Sequence, residues 1–202
     1  LDGFTITGGA GNADLYSKSE TVGGGLLCLH SSPTIRNCII VSNSASYQGG
    51  AIFNGERSNT VILNCKIKSN QAERGGGIYN NRGRPVIRDS EISYNEAKYG
   101  GGGMYNFGSN ARVISCTFLR NHAGYNGGGV YDYDSSGRLI DTVFTQNFAM
   151  FNGGAVYRGY RSGTVIYDDC IFTLIDHDTV AGSGGYMIAQ GRATGACCIG
   201  TG

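Results

Sequence analysis

Several features that mark other protein classes are absent from this sequence. No run approaches the ~20 consecutive apolar residues that a transmembrane helix needs, so no membrane span is predicted. Neither sign of charge dominates, because 16 lysines and arginines stand against 15 aspartates and glutamates. A broad basic face is therefore not expected, and nucleic acid is not predicted as a partner. Apolar residues spaced three and four apart between capping residues are also missing, which argues against a helical fold.

Proline is scarce, with two residues, whereas glycine is in excess, with 35 of the 202 residues. The glycine share is about 17%, against roughly 7% in average proteins. With so little proline the composition is not that of a low-complexity chain, and 40% hydrophobic residues suffice for one domain with a sizeable core. The glycine excess indicates that the backbone requires glycine at many fixed positions.

Those positions belong to a repeat of two glycines, a small residue, an aliphatic residue and, in most copies, an aromatic residue. Successive copies lie 26 residues apart, and an insertion over residues 173–183 delays the last one. The copies begin at Gly23, Gly49, Gly75, Gly101, Gly127, Gly153 and Gly184.

A second motif follows half a period later, with a small residue, a large apolar residue two positions on, and then an asparagine. The small residues are Cys38, Cys65, Ser90, Cys116, Thr142 and Cys170, and the asparagines are Asn43, Asn70, Asn95, Asn121 and Asn147. Interchange of cysteine with serine and threonine predicts buried thiols that fill space, with a Cys38–Cys65 disulfide as the alternative.

Apolar residues at steps of two predict short strands, and one repeat cannot bury its own apolar face. We therefore expect an all-β, right-handed parallel β-helix of about 26 residues per coil and seven to eight coils. It should span residues 1–196 as a fragment of a longer protein, with residues 197–202 beginning a truncated cysteine-containing segment. The expected bore column is Leu26, Ile52, Ile78, Met104, Val130 and Val156.

Polar residues also recur in columns. One column precedes the small residues and is expected to form turns, because asparagine and aspartate tolerate the left-handed conformation. Its members are Asn37, Asn64, Asp89, Ser115, Asp141 and Asp169. The asparagines of the second motif are expected to stack as amides that satisfy the backbone at the corners.

An aromatic stripe, consisting mainly of Tyr79, Tyr105, Tyr131 and Tyr157, follows the bore column by one residue and should face outward. Two interpretations stay open. Stacked rings stabilise parallel strands whatever the function. A row of tyrosines beside polar residues also suits a sugar polymer or a protein surface, which makes these four tyrosines the predicted ligand-binding residues.

Few residues suggest catalysis. The three histidines occupy unrelated repeat positions. Paired carboxylates can hydrolyse glycosides, and Asp132 with Asp134, near Arg158, is the one candidate catalytic cluster. Solvated loop charges are the alternative interpretation. No metal site and no cofactor are predicted; Ca²⁺ stays open, without a motif that indicates it.

The repeat resembles that of the polymorphic outer membrane proteins, whose signatures are GGAI and FxxN. GGAI is present at residues 49–52, and FxxN at residues 118–121 and 144–147. The resemblance implies a secreted or cell-surface passenger domain, adhesin-like and non-catalytic, that binds a polysaccharide or a surface protein. It implies an extracellular or cell-surface location.

The same fold occurs in the pectin lyase-like superfamily, which implies a polysaccharide lyase or glycoside hydrolase as the alternative function. The arginine and proline spacing at residues 84–88 does not match the R-x-P-x-x-R signature of pectate lyases. The G-H-G and N-T-D signatures of polygalacturonases are absent from the sequence. The scaffold is therefore favoured over the enzyme.

Overall fold

A computed structural model describes residues 1–17, 20–163, 165–173, 180–182, 187–190 and 198–200. Those residues contain strands and no helix. In chain order the strands are β1 (Thr5–Thr7), β2 (Asn12–Ser17), β3 (Glu20–Val22), β4 (Leu26–Cys28), β5 (Thr34–Arg36), β6 (Ile39–Val41), β7 (Ile52–Asn54), β8 (Val61–Leu63), β9 (Lys66–Lys68), β10 (Gln71–Arg74), β11 (Ile78–Asn81), β12 (Val86–Arg88), β13 (Glu91–Ser93), β14 (Glu96–Gly100), β15 (Met104–Phe107), β16 (Arg112–Ile114), β17 (Thr117–Leu119), β18 (His122–Ala123), β19 (Val130–Tyr133), β20 (Arg138–Ile140), β21 (Val143–Thr145), β22 (Phe148–Ala149), β23 (Val156–Arg158), β24 (Val165–Asp168), β25 (Ile171–Thr173), β26 (Val180–Gly182), β27 (Met187–Gln190) and β28 (Cys198–Gly200).

Strands of successive coils pair in parallel and form four sheets along the axis. The first sheet follows the glycine motif and contains β4, β7, β11, β15, β19, β23, β26 and β28. The second sheet contains β5, β8, β12, β16, β20, β24 and β27. The third contains β1, β6, β9, β13, β17, β21 and β25, and the short fourth contains β10, β14, β18 and β22.

The parallel solenoid is confirmed, with about six regular turns at the 26-residue spacing rather than seven to eight. The insertion expected over residues 10–22 contains β2 and β3, which pair as an antiparallel hairpin. Most of the insertion at 173–183 lies outside the described residues. Residues 198–200 of the expected C-terminal segment are described, as β28 paired with β26, and the proposed domain division stays a prediction.

The bore is filled as the repeat predicts. Ile78 pairs in register with Ile52 on one side and with Met104 on the other, and Met104 pairs with Val130. All four side chains are at most 1% exposed and belong to one apolar cluster. A period of two along each strand therefore directs every second residue into the same interior.

The corner between the second and third sheets is a single residue in the left-handed conformation. The φ angles of the predicted turn column lie between 46° at Asp141 and 55° at Asn37. Its other members are Asn64, Asp89, Ser115 and Asp169. The structural interpretation of this column is confirmed.

The asparagine column of the second motif is a buried amide ladder. Asn95 is representative, because its backbone N–H and its Nδ2 both donate to Oδ1 of Asn121, at 3.1 and 3.0 Å. Its Nδ2 also donates to the carbonyl oxygen of Ile67 at 2.9 Å. Each amide thus satisfies backbone groups that the corner would otherwise leave unpaired.

The cysteine column fills space inside the same wall. Cys38, Cys65, Cys116 and Cys170 are buried and carry free thiols, so the Cys38–Cys65 disulfide is not formed. Burial raises the pKa of the Cys116 thiol to about 11, which keeps it protonated at neutral pH. The thiols therefore behave as small apolar side chains with a weak S–H donor.

The glycine pair is explained by the tight corner before the first sheet. Gly101 has a φ of 66°, and a Cβ there would lie 2.5 Å from the carbonyl oxygen of Met104. At Gly102, a Cβ would lie 2.5 Å from the backbone of the next coil, at Gly128. The first glycine is required for its conformation and the second for close approach between coils.

Candidate ligand-binding groove

The predicted tyrosine stripe forms one outward column on the first sheet. Tyr79 pairs in register with Tyr105, Tyr105 with Tyr131, and Tyr131 with Tyr157. Their ring centroids are 5.1, 4.6 and 5.1 Å apart. The outward direction is therefore as expected, and the first two ring pairs are stacked while the third is tilted.

The exposure is not as expected. Tyr79 is only 4% exposed and Tyr105 only 7%, whereas Tyr131 and Tyr157 are half-buried. The expectation of a continuous exposed ribbon is wrong for the first two rings. They form a second apolar cluster outside the bore, against which Leu27, Tyr47, Phe107, Tyr131 and Tyr133 pack.

Stacking also decides what these rings can offer a ligand. Tyr105 lies between Tyr79 and Tyr131 with interplanar angles of 13° and 16°, so both of its faces are covered. A ligand would therefore meet ring edges and phenol hydroxyls rather than ring faces. Burial raises the pKa of Tyr131 to about 12, and that of Tyr105 further, so both hydroxyls stay neutral.

Above these rings lies an open groove of about 480 Å³ that we call the tyrosine groove. Its residues come from the end of the fourth sheet, from the segment before β7 and from the first sheet, on neighbouring coils. They are Tyr47, Gln48, Arg74, Tyr79, Asn81, Tyr105, Phe107 and Tyr133. Neutral hydrogen-bonding groups on an apolar base, with one cation, suit a ligand rich in hydroxyl groups.

Arg74 supplies that cation and was not among the predicted site residues. Its guanidinium carbon lies 5.2 Å from the ring centroid of Tyr47 and 5.4 Å from that of Tyr99. Burial by itself lowers the pKa of Arg74, but the nearby phenols of Tyr47, Tyr105 and Tyr79 raise it, and the net direction is upward. The guanidinium is therefore charged at any working pH.

A signal for Arg74 is present in the sequence. Two residues separate Ala72 from Gly75, whereas three separate Ala97 from Gly101. The pairing of β10 with β14 shifts register between Ala72 and Arg74 for the same reason. The segment between Ala72 and Gly75 is thus one residue shorter than its counterpart on the next coil. This shortening marks the coil whose surface side chains differ from those of the other coils.

The structure brings Asp132 and Arg158 together but not Asp134, and the pair is buried. Asp132 and Arg158 pair in register on adjacent coils, but each is only 2% exposed and faces the interior. Asp134 is exposed at the corner after β19, with a φ of 52°. The expectation that Asp132 and Asp134 share one accessible face is wrong, because alternation along β19 directs Asp132 inward.

Asp132 instead ends a second buried amide ladder. Asn54 donates to Asn80 and Asn80 to Asn106, both at 2.8 Å, and Asn106 donates to the carboxylate of Asp132 at 2.7 Å. Burial raises the pKa of Asp132 to about 6, opposed by the bond from Asn106 and by the charge of Arg158. These asparagines therefore do not border the tyrosine stripe on the outside.

Arg158 is held by backbone groups of the following loop. Its guanidinium donates to the carbonyl oxygen of Ser162 at 3.1 Å and to that of Gly163. The hydroxyl of Ser162 donates in turn to the carbonyl oxygen of Asp132 at 2.9 Å. This buried network joins two coils and leaves neither charge accessible to a large substrate.

Within the described parts of the chain, no group of three or more histidine, cysteine, aspartate or glutamate side chains is placed to hold a metal ion. The expectation about cofactors, including Ca²⁺, stays a prediction. The same residues contain no helix that is long and apolar enough to cross a membrane.

Fold and groove together define a parallel β-helix protein with an aromatic groove along its axis. A model of the right-handed β-helix region matches residues 24–196, which is most of the chain. The chain belongs to the right-handed β-helix family. No curated protein and no solved structure matches it.

Proposed function

We propose that this domain is a non-catalytic scaffold, secreted or on the cell surface, that binds a glycan or a protein partner through the tyrosine groove. It would act as an adhesin-like passenger domain of the polymorphic outer membrane protein type. The observation that supports this most is the groove itself, which combines buried phenol rings, neutral hydroxyls and one cation. The resemblance of the repeat supports the surface location.

A binding role fits the chemistry of the groove better than hydrolysis does. Paired carboxylates are the usual means of cleaving a glycosidic bond, and no carboxylate lines the tyrosine groove among the described residues. The candidate acid Asp132 is buried in the bore, where a polysaccharide cannot reach it. A polysaccharide lyase or glycoside hydrolase stays the alternative.

A polysaccharide panel tests the proposal, scored both for retention of the protein and for new reducing or unsaturated ends. Retention without cleavage is expected, and cleavage would establish the enzyme instead. Tyr133→Asn should weaken retention, because Tyr133 lines the groove and is half-buried. The matched control is Tyr94→Asn, since Tyr94 is exposed elsewhere and asparagine tolerates its φ of 54°.

A protein partner is tested by the same pair of variants. Proteins from the surface of candidate host or neighbour cells would be captured on the immobilised domain and identified. A specific partner should be captured by the wild type and Tyr94→Asn but not by Tyr133→Asn. If Tyr133→Asn retains every glycan and protein that the wild type retains, the tyrosine groove is not the binding site.

A further inference from the structure

A ladder of aromatic side chains runs along the corner between the fourth and first sheets, and Arg74 occupies a break in it. Tyr99 and Tyr125 lie side by side in a tilted arrangement with 5.6 Å between ring centroids, and Tyr125 and Phe151 do so with 5.2 Å. Tyr47 holds the same position two coils before Tyr99. On the intervening coil the segment between Ala72 and Gly75 is one residue shorter, and it has no ring there.

The guanidinium of Arg74 takes the place of the missing ring. Its distances to Tyr47 and Tyr99, 5.2 and 5.4 Å, each match about one coil spacing of ~4.8 Å. The guanidinium therefore lies between the two phenol rings, within cation–π distance of each. One of its N–H donors bonds to the side chain of Tyr47, and the others, around the edge of the guanidinium, are left for a ligand in the tyrosine groove that Arg74 lines.

Arg74 also differs from other cations on this surface in its partners. Arg82 and Lys98, on neighbouring coils, form ion pairs with Glu56 and Glu73, both at 3.0 Å. Arg74 forms no ion pair with any carboxylate of the described residues. The groove beside it is lined by neutral side chains only, so its charge is not compensated there.

We infer that Arg74 is a specificity-determining residue of the tyrosine groove and recognises an acidic group, a carboxylate or a sulfate, on a glycan chain. This inference rests on the proposed function. A guanidinium fixed between two rings loses little side-chain freedom on binding and presents paired N–H donors to two oxygens. The phenol hydroxyls of Tyr79 and Tyr105 would bind sugar hydroxyls beside that contact.

Affinity electrophoresis with three polymers of the same backbone tests the inference. Hydroxyethyl cellulose is neutral, carboxymethyl cellulose carries carboxylates and cellulose sulfate carries sulfates. The wild type should be retarded more by at least one charged polymer than by the neutral one, and comparison of the two charged polymers distinguishes carboxylate from sulfate. Arg74→Gln should bind the preferred polymer at least about tenfold more weakly, as loss of a charge-assisted hydrogen bond implies.

Two further variants distinguish ligand recognition by Arg74 from a structural role of this residue and from a general effect of positive charge. Arg112→Gln removes an exposed arginine of β16 that also lacks an ion pair among the described residues, and it should behave as the wild type. Arg74→Lys keeps the charge without the planar fork and should restore part of the binding. Circular dichroism and thermal melting without polymer establish that each variant is folded.

The inference is tested by which polymers each variant binds more weakly. A selective loss of binding to the charged polymer, with binding to the neutral one unchanged, supports recognition, because general damage to the groove would weaken both. Equal loss in Arg74→Gln and Arg112→Gln, or none in Arg74→Gln, overturns the inference while glycan binding itself stands. If the wild type is retarded by no polysaccharide of the wider panel, glycan binding and the inference are both overturned.

Discussion

The bore column and the tyrosine column lie next to each other on the first sheet and repeat with the same period, yet they behave differently along the axis. From Ile52 to Val156 every residue of the bore column is at most 1% exposed. In the outer column, Tyr79 is only 4% exposed while Tyr157 is half-buried. The same residue type in the same repeat position thus has different surroundings in different coils.

The difference arises from what covers each column. A bore residue is enclosed by other members of the repeat, so its surroundings recur in every coil. An outer residue is covered by side chains whose type changes from coil to coil, such as Phe107 and Tyr133 where an earlier coil has Asn81, or by Val22 of the inserted hairpin. Repetition therefore determines the interior, whereas irregular neighbours determine which part of the outside is open to a ligand.

The largest expected effect is in the bore. Ile78→Asp would place an unpaired carboxylate in a dry interior and should lower the free energy of unfolding by about 5 kcal/mol or more. Ile78→Val, as the control, should cost about 1 kcal/mol. Urea unfolding followed by circular dichroism measures both. Similar losses in the two variants would mean that the bore is hydrated at this coil.

The stability lost when an aromatic residue of the outer column is replaced should depend on how deeply that residue is buried. Tyr79→Ser removes a buried ring that is stacked on both sides, and it should lower the free energy of unfolding by about 3 kcal/mol. Tyr157→Ser, at a half-buried position in the same column, should cost about 1 kcal/mol. Thermal melting compares the two directly. Equal losses would show that the burial gradient along the column has no energetic consequence.

A smaller effect is expected from the charge inside the bore. The pKa of Asp132 is about 6 in the folded protein, against an ordinary value of 3.8, so the folded state binds the proton more tightly than the unfolded chain does. The resulting stability is fully present below about pH 4 and is lost as the pH rises through about 6. At 1.36 kcal/mol per pKa unit, the loss is about 3 kcal/mol at most.

Asp132→Asn isolates this contribution, because an asparagine continues the amide ladder from Asn106 without titrating. Free energies of unfolding would be measured from about pH 4 to pH 7 for both proteins. The wild type should lose more stability than the variant as the pH rises. Parallel curves would show that Asp132 does not titrate in this range and that the buried network is stabilised differently.

Much of the fold follows from the sequence because the repeat is regular. The 26-residue spacing predicts that Ile78 lies between Ile52 and Met104, and the structure has that register. The turn column and the amide ladder headed by Asn43 were predictable as well, since Asn and Asp have few other reasons to recur at corners. Period-two alternation also predicts that Asn80 faces inward with Ile78.

The candidate site was less predictable. A pattern along one strand tells which way Tyr105 points, but it does not tell that Tyr47 and Phe107 enclose the space around it. The position of Arg74 is marked by a shortened segment, yet the sequence alone does not show that two rings hold its guanidinium. Such arrangements depend on side chains that are distant in the chain and adjacent only across coils.

By itself, the sequence determined the parallel solenoid, the direction of each side chain and the identity of the stacked columns. These depend on local alternation and on a constant period, both of which can be read along the chain. Only the tertiary structure decided which tyrosines are covered, and that Arg74 lies between two rings beside a groove without an ion pair to any described carboxylate. Burial and charge compensation depend on neighbours in space, and in a β-helix these neighbours come from different coils.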